Sequence, residues 1–282
     1  PTRHEMDLSD SNSVDTFFKK HRPEFIFMCG ARVGGIEANR SQPVEFATEN
    51  LRHELNLFDA CHRFDIRKAM FLGSSCIYPR ECPQPIREEY LMTGKLEPTN
   101  ESYAMAKLVG IRLAQAYRDQ YGMKTICPMP CNLYGTGDNF DLEKSHVLSA
   151  LVRRFVDAAD EKKDRGTLWG TGVARREFLH VADLAEALLF LMERYDGREI
   201  INVGSGTDVT IRELAMEIAK QGGYTGEIIW DSTRPDGMPR KCMDVSRLSA
   251  LGFKAKISLL DGVKQTVNEY REIKRSGHLA RG

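Results

Sequence analysis

Two side chains with the types and spacing for proton transfer lie four residues apart, at Tyr103 and Lys107. Side chains at this spacing share one face of a helix. A free phenol has a pKa of about 10, and a neighbouring ammonium favours its deprotonated form. The pair is therefore a candidate general acid/base unit. The alternative is a surface tyrosine beside a solvated lysine on an ordinary amphipathic helix.

A third polar side chain, Ser74, lies upstream of this pair. Residues 68–76 read as a short buried strand that runs into a turn of small residues. In open parallel sheets, ligands bind at the C-terminal ends of the strands. Ser74 lies at such an end, where its hydroxyl would hydrogen-bond the carbonyl that Tyr103 protonates.

The elements that must position these residues follow an alternating pattern. Apolar runs of strand length at 24–29, 68–74 and 123–128 alternate with helical patterns at 43–64 and 102–121. Strands that alternate with long helices predict an α/β fold, a doubly wound parallel sheet. After Asn139 the rhythm changes to helices at 145–158, 181–195, 211–221 and 258–275, with short strands at 167–169, 199–203 and 227–230.

Composition excludes several classes of partner. The formal net charge of zero gives no field that favours nucleic acid or an anionic membrane. The longest apolar runs, such as residues 187–192, are too short to span a bilayer. The 7 cysteines are scattered without a C-x-x-C pair, which argues against a disulfide framework or a zinc site. We therefore expect no metal and a reducing compartment, the cytoplasm.

Several motifs together carry a resemblance to a known family. They are Val33-Gly-Gly-Ile36, Gly73-Ser-Ser-Cys-Ile-Tyr-Pro79, Glu97-Pro-Thr-Asn100, Tyr103-x-x-x-Lys107, Asn132-Leu-Tyr-Gly135, Asp138-Asn-Phe140, Ser145-His-Val147, Arg176-Glu-Phe-Leu-His180 and Pro235-Asp-Gly237. Over nearly its whole length the chain resembles the extended short-chain dehydrogenases/reductases, and within them the GDP-L-fucose synthase family. The Tyr/Lys pair is common to the superfamily, whereas G-S-S-C-I-Y-P combined with D-N-F and S-H-V is specific.

The resemblance implies a fold, an activity and partners. The implied fold is a Rossmann-like doubly wound parallel sheet with a smaller C-terminal α/β substrate domain. Residues 1–139 and about 167–204 would bind NADP(H), and about 140–166 and 205–282 would bind the GDP-sugar. The implied reaction is 3,5-epimerisation and 4-keto reduction of GDP-4-keto-6-deoxy-D-mannose, performed by a homodimer. Two alternatives stay open, another nucleotide-sugar epimerase or dehydratase of the superfamily and a non-catalytic nucleotide-sugar-binding protein.

The resemblance also assigns catalytic roles. Tyr103 is the proton donor in the reduction, Lys107 lowers its pKa and binds the nicotinamide ribose, and Ser74 orients the carbonyl. Cys76 and His146 match the acid/base pair for epimerisation. In extended backbone, Cys76 and Ser74 would point the same way. Without the motifs, Cys76 would read as a buried apolar thiol and His146 as an exposed helix-terminal residue.

Binding residues follow from the same resemblance. The expected cofactor contacts are Arg3, Asp7, Leu8, Gly30, Leu72, Gly73, Ser74, Ser75, Lys107, Pro130, Asn132, Leu133 and His146. The expected substrate contacts are Arg154, Trp169, Arg176, Asp236 and Lys241. Arg3 would bind a 2′-phosphate and favour NADPH, or else be an exposed terminal arginine. The alternative to substrate binding is a solvated position on a helix face for Arg154. For Trp169 it is a packing position in the core. Arg153 and Arg175 remain alternative phosphate contacts.

One departure from the family pattern concerns the N-terminus. The family opens with a strand, a G-x-x-G-x-x-G turn and a helix, which cradle the cofactor pyrophosphate. This sequence has no such turn and is expected to begin just after the family's second strand, at Thr2-Arg3. In the strand order 3-2-1-4-5-6 the first strand is central, so its loss would leave edges unpaired. We expect roughly 30–35 further N-terminal residues, about one βα unit plus a strand.

Overall fold

The computed structural model describes residues 1–142, 145–234 and 236–277. Pro235, from the predicted Pro235-Asp-Gly237 motif, and residues 143–144 and 278–282 of the second predicted domain lie outside these ranges. The helices are α1 Ser11–His21, α2 Ile36–Ser41, α3 Pro43–Arg63, α4 Glu101–Tyr121, α5 Val147–Asp160, α6 Val181–Arg194, α7 Ile211–Gly222, α8 Ser246–Ala250 and α9 Leu259–Ser276. The strands are β1 Phe25–Met28, β2 Lys68–Phe71, β3 Thr125–Ile126, β4 Pro128–Pro130, β5 Asn132–Tyr134, β6 Arg165–Trp169, β7 Arg175–His180, β8 Ile201–Val203, β9 Asp208–Thr210, β10 Glu227–Asp231 and β11 Arg240–Lys241.

A parallel sheet organises the N-terminal unit. β2 lies between β1 and β3, and β4 continues the chain from β3 to pair with β8, all in parallel. β2 is buried along its whole length, as expected for a strand covered on both faces. The expected α/β fold with a parallel sheet and crossover helices is confirmed. No described strand pairs with the outer edge of β1, where Phe25 and Phe27 are 43% and 38% exposed.

Two long helices cover this sheet. α3 begins with a proline at its first turn, where the missing N–H costs nothing. α4 ends at Gly122, whose φ of 71° lies in the left-handed region that glycine adopts freely. Their buried residues join β2 in one apolar cluster with Phe58, Phe71 and Ile111. This packing fixes the start of α4 against the C-terminal end of β2.

Shorter strands and three helices form a second apolar cluster. β7 pairs in parallel with β5 and β11 and antiparallel with β9, while β6 pairs with β10. Helices α5, α7 and α9 bury Phe155, Ile218 and Tyr270 in this cluster. α7 begins with a capping box, in which the Thr210 and Glu213 side chains bond each other's backbone amides.

The second cluster bears on the predicted domain ranges. The prediction assigned residues from about 167 to 204, which include β6, to the first domain. We propose that β6 belongs to the second domain, because it pairs with β10 and buries Leu168 in the second cluster. Within the described ranges, no helix has the length and apolar composition that a membrane crossing requires.

Candidate functional site

A cleft of about 360 Å³ opens at the C-terminal ends of β2 and β4. It is lined by all the predicted catalytic residues and by most predicted cofactor contacts, namely Leu72, Gly73, Ser74, Ser75, Cys76, Tyr103, Lys107, Pro130, Asn132, Leu133 and His146. The parallel sheet explains this convergence, because consecutive strands end at the same edge.

The remaining predicted cofactor contacts line a second cavity of about 820 Å³. These residues are Arg3, Asp7, Leu8 and Gly30. Cys29 and Ala31 line both cavities, so the two meet along this segment. An elongated ligand with an anionic end near Arg3 therefore fits the two cavities taken together. Across the described ranges, no three His, Cys, Asp or Glu side chains form a metal site.

Ser74 precedes a tight turn and Cys76 lies within it. Residues 75–77 form a 3-10 turn, and the Cys76 amide donates to the Ser74 Oγ over 3.2 Å. The two side chains were expected to point the same way because the backbone would be extended. The backbone instead forms a 3-10 turn here, so that reason was wrong. Both side chains still line the cleft.

Tyr103 lies in the first turn of α4, inside the cleft. Burial raises the pKa of its phenol, the nearby Cys76 raises it further, and Ser74 opposes the shift. Lys107, which is expected to lower this pKa, is not among the groups that shift it here, and its ammonium lies against another residue.

That residue is Glu54, on the buried face of α3. Its carboxylate lies 3.8 Å from the Lys107 Nζ, and the two side chains are only 5% and 4% exposed. Burial raises the pKa of Glu54 to about 7 although Lys107 opposes the shift, and burial lowers the pKa of Lys107 although Glu54 opposes it. The ammonium also lies 4.5 Å from the centroid of the Phe71 ring.

Sequence analysis did not identify Glu54. A signal was present, since Glu54 lies four residues after Asn50 and four before Phe58, on the apolar stripe of α3. A charged residue in such a stripe is rarely buried without a partner. Beside it, Gly110 leaves room for the carboxylate, because a Cβ there would lie 2.8 Å from the Glu54 Oε2.

Cys76 faces a different lysine. The Lys241 Nζ donates to its Sγ over 3.3 Å. Burial raises the pKa of Cys76, but Lys241, Ser74 and the more distant Arg176 outweigh this effect and lower it below the usual value. His146 caps the start of α5 and lines the same cleft.

Four of the predicted substrate contacts lie in or beside the segments 232–234 and 236–239. The guanidinium of Arg234 lies 5.2 Å from the ring centroid of Trp169, which is 66% exposed. The core alternative for Trp169 is therefore not realised. Asp236 accepts two hydrogen bonds from Thr171, both of 2.7 Å. Arg176 donates to the carbonyl of Met238 over 2.6 Å, and Lys241 follows the second segment on β11.

Arg154 stands apart from this group. It lies on α5 and is half-buried, and within the described ranges no hydrogen bond or ion pair joins it to the other four. Its neighbour Arg153 donates to the Phe140 carbonyl and pairs with Asp157. Arg175 is bonded to Asp208 at 2.7 Å. The structure therefore engages both alternative arginines in internal contacts.

Comparisons with known proteins agree with this geometry. The sequence profile of the NAD dependent epimerase/dehydratase family matches residues 2–204. The chain is 49% identical over 269 residues to GDP-L-fucose synthase 1 of Arabidopsis thaliana, covering 95% of this chain and 83% of that one. It is 45% identical to GDP-L-fucose synthase of Escherichia coli, covering 96% of this chain and 87% of that one. A crystal structure of a GDP-L-fucose synthetase from Naegleria fowleri bound to NADP superposes with a TM-score of 0.88 at 25% identity, covering 98% of this chain and 86% of that one.

Proposed function

Because the chain belongs to the NAD dependent epimerase/dehydratase family, and within it to the GDP-L-fucose synthases, we propose that it converts GDP-4-keto-6-deoxy-D-mannose to GDP-L-fucose with NADPH. One observation carries the proposal. The residues for reduction, Tyr103 with Ser74, and those for epimerisation, Cys76 with His146, line a single cleft. A substrate bound there reaches both sets without leaving the site.

Epimerisation moves protons on the carbons beside the ketone. Cys76 takes a proton from such a carbon: the C–H bond breaks, an S–H bond forms, and the electron pair moves onto the ketone oxygen. His146 returns a proton to the opposite face, and the electron pair comes back from the oxygen. Two groups from different elements suit this task, because the 3-10 turn after β2 and the start of α5 approach the cleft separately.

Reduction then fixes the configuration. When bound, NADPH supplies the hydride that adds to C4. Ser74 donates a hydrogen bond to the ketone oxygen, and Tyr103 transfers its Oη proton to that oxygen as the C–O double bond opens. The buried phenol retains its proton until this step, since burial raises its pKa. The tyrosinate that remains regains a proton from solvent.

The cofactor would be held across both cavities. Lys107 and the turn from Leu72 to Ser75 line the nicotinamide side, and Asp7, Leu8 and Gly30 line the other. Arg3 supplies a cation there, which suits a 2′-phosphate and supports NADP(H) over NAD(H).

The substrate diphosphate needs cations and the guanine needs a flat surface. We propose Arg154 and Arg176 for the diphosphate, because guanidinium groups bind phosphate oxygens in pairs. Trp169 exposes its ring for stacking on guanine. Asp236 accepts two hydrogen bonds from Thr171, which hold it close to the strand that carries Trp169.

A second copy of the chain would complete the assembly. α3 and α4 lie side by side and expose Leu55, Met105, Val109 and Tyr121, which are 46%, 50%, 38% and 51% exposed. Large exposed apolar residues on neighbouring helices favour an interface. We propose a homodimer through these helices, and sedimentation as a monomer at micromolar concentration would contradict it. The free cysteines support a reducing compartment, the cytoplasm.

The test is an assay with GDP-4-keto-6-deoxy-D-mannose and NADPH in D2O. We expect NADPH absorbance to fall, GDP-L-fucose to form, and deuterium to enter C3 and C5. Cys76→Ser and His146→Ala should suppress that deuterium incorporation. Full incorporation in both variants would assign epimerisation to other residues. No NADPH oxidation with any nucleotide-sugar would support a binding role instead.

A further inference from the structure

The ammonium of Lys241 and the thiol of Cys76 meet across a sequence separation of 165 residues. The Nζ donates to the Sγ over 3.3 Å, and both side chains are half-buried. In the described parts of the chain, Lys241 forms no ion pair with a carboxylate. Asp208, on the neighbouring strand β9, is bonded by Arg175 and Arg240, and Glu177 on β7 accepts from the backbone amides of Gly206 and Met243. The charge of Lys241 is therefore directed at the thiol.

The fold fixes Lys241 in this place from both sides. β11 pairs in parallel with β7, and Lys241 lies opposite Arg176. The amides of the two residues after Lys241 donate to the side chains of Gln84 and Glu177, at 3.0 and 2.8 Å. Glu177 is itself a buried carboxylate on β7. The backbone of Lys241 is thus tied to the first unit and to β7 at once.

The pKa of Cys76 is shifted in the opposite direction from the pKa of four other cysteines. Burial raises the pKa of Cys29, Cys61, Cys82 and Cys127. Burial also acts to raise the pKa of Cys76, yet the net shift is downward because Lys241, Ser74 and Arg176 lower it. Tyr103 and His146 line the same cleft, and neither bears a negative charge while the phenol is protonated.

We propose that Lys241 is a positioning residue for the epimerisation, which holds Cys76 as a thiolate ready to accept a proton from the substrate. This rests on the function proposed above and gives Lys241 a task other than the substrate contact implied by the family resemblance. A thiolate is the form that accepts a proton, whereas a protonated thiol must first lose one. Contact of an ammonium with sulfur supplies that form at neutral pH.

The test measures the thiol without substrate or turnover. The full chain is treated with iodoacetamide from pH 5 to 10, and carboxamidomethylation of the Cys76 peptide is followed by mass spectrometry. In the wild-type chain we expect the rate to rise with an apparent pKa below the ordinary value of about 8.5. In Lys241→Met we expect this pKa to rise by about one unit or more, which lowers the rate at neutral pH about tenfold. Lys241→Arg should keep most of the wild-type profile.

Two controls isolate the contact. Arg240→Met removes a cation from the same strand that bonds Asp208 instead of Cys76, so its Cys76 profile should match wild type. Cys29 reports general changes in the fold, and its profile should be the same in all variants. A wild-type Cys76 pKa at or above 8.5 would overturn the inference even if Lys241→Met failed to fold. An unchanged Cys76 profile in folded Lys241→Met would overturn it as well.

The activity readout separates this role from simple substrate binding. If Lys241 acts through Cys76, the acidic limb of the C3 and C5 deuterium exchange shifts upward in Lys241→Met at saturating substrate. If Lys241 only binds substrate, KM rises while the exchange profile at saturation and the alkylation profile stay as in wild type, which contradicts the inference. A shifted alkylation profile without any exchange in the wild-type chain would refute the proposed function and leave the inference about Cys76 standing.

Discussion

Two lysines lie close to catalytic residues of the cleft, and their nearest partners differ. Lys107 lies against the buried carboxylate of Glu54, 3.8 Å away, and the phenol of Tyr103 next to it keeps a raised pKa. Lys241 lies against a thiol, and the pKa of Cys76 is lowered. The same ammonium group therefore has a different effect at each place, because its nearest partner differs.

The difference matches what each half of the proposed reaction needs. Reduction requires a phenol that still holds a proton to donate, and epimerisation requires a group that has already lost one. Lys107 lies against the carboxylate of Glu54, whereas no described carboxylate forms an ion pair with Lys241. Burial keeps the Tyr103 phenol protonated, whereas the contact with Lys241 favours the thiolate of Cys76.

Removing one catalytic group at a time tests this comparison most directly. Tyr103→Phe should lower the rate of NADPH oxidation by about 10²–10⁴-fold, the usual contribution of a general acid, while deuterium still enters C3 and C5. Stopped-flow absorbance and NMR of the recovered sugar measure the two. Tyr121→Phe, an exposed tyrosine at the end of the same helix, should behave as wild type. Equal loss of exchange and oxidation in Tyr103→Phe would show that the two sides are not separable.

Cys76→Ser is the converse change. A serine hydroxyl beside Lys241 ionises far less readily than a thiol, so exchange at C3 and C5 should fall by about 10²-fold or more. A substrate analogue that needs only reduction should still be reduced with NADPH. The same NMR and absorbance assays apply. Unaltered exchange in Cys76→Ser would remove Cys76 from the epimerisation.

The Glu54 side predicts a pH dependence of stability. Its pKa is raised from 4.5 to about 7 in the folded chain, so its contribution to the free energy of unfolding is fully present below about pH 4.5 and is lost as the pH rises through about 7. The loss is at most roughly 3 kcal/mol. Urea unfolding at pH 5 and pH 8 should show this fall in wild type, and Glu54→Gln should give a flat or rising profile. An identical fall in both proteins would assign it to other groups.

Gly110→Ala tests the space that Glu54 and Lys107 occupy. A Cβ at Gly110 would lie 2.2 Å from the Phe71 ring and 2.8 Å from the Glu54 Oε2. Overpacking of this kind costs about 1–3 kcal/mol, although alanine is the better helix former. Gly222→Ala is the matched control, because its nearest contact is 3.5 Å to Val156 in another helix. We expect denaturant unfolding to show lower stability for Gly110→Ala and equal or higher stability for Gly222→Ala.

The helices were the part of the fold that the sequence predicted best. α3 and α4 begin and end within a residue or so of the predicted bounds, because helical periodicity and caps such as Gly122 are local signals. The strands β5, β7, β9 and β11 were not predicted. They are 2–6 residues long, and such short strands are defined by pairing with partners far along the chain.

The candidate site divides in the same way. Ser74 and Tyr103 were recognised from type and spacing and His146 from the family motif, and all three line one cleft. Trp169 could not be placed, because an aromatic residue in a short strand fits a core or a surface equally well. In the structure it lies at the end of β6, which pairs with β10, and its side chain is 66% exposed.

Residue order specifies which reactive groups the chain carries and that they lie at strand ends and helix starts. The charges that these groups meet are specified by the packing of the folded chain. Glu54 and Lys107 belong to different helices, and Cys76 and Lys241 to different units, so their contact depends on helix packing and strand register. Electrostatic interactions fall off with distance and strengthen with burial, and neither quantity can be read from residue order.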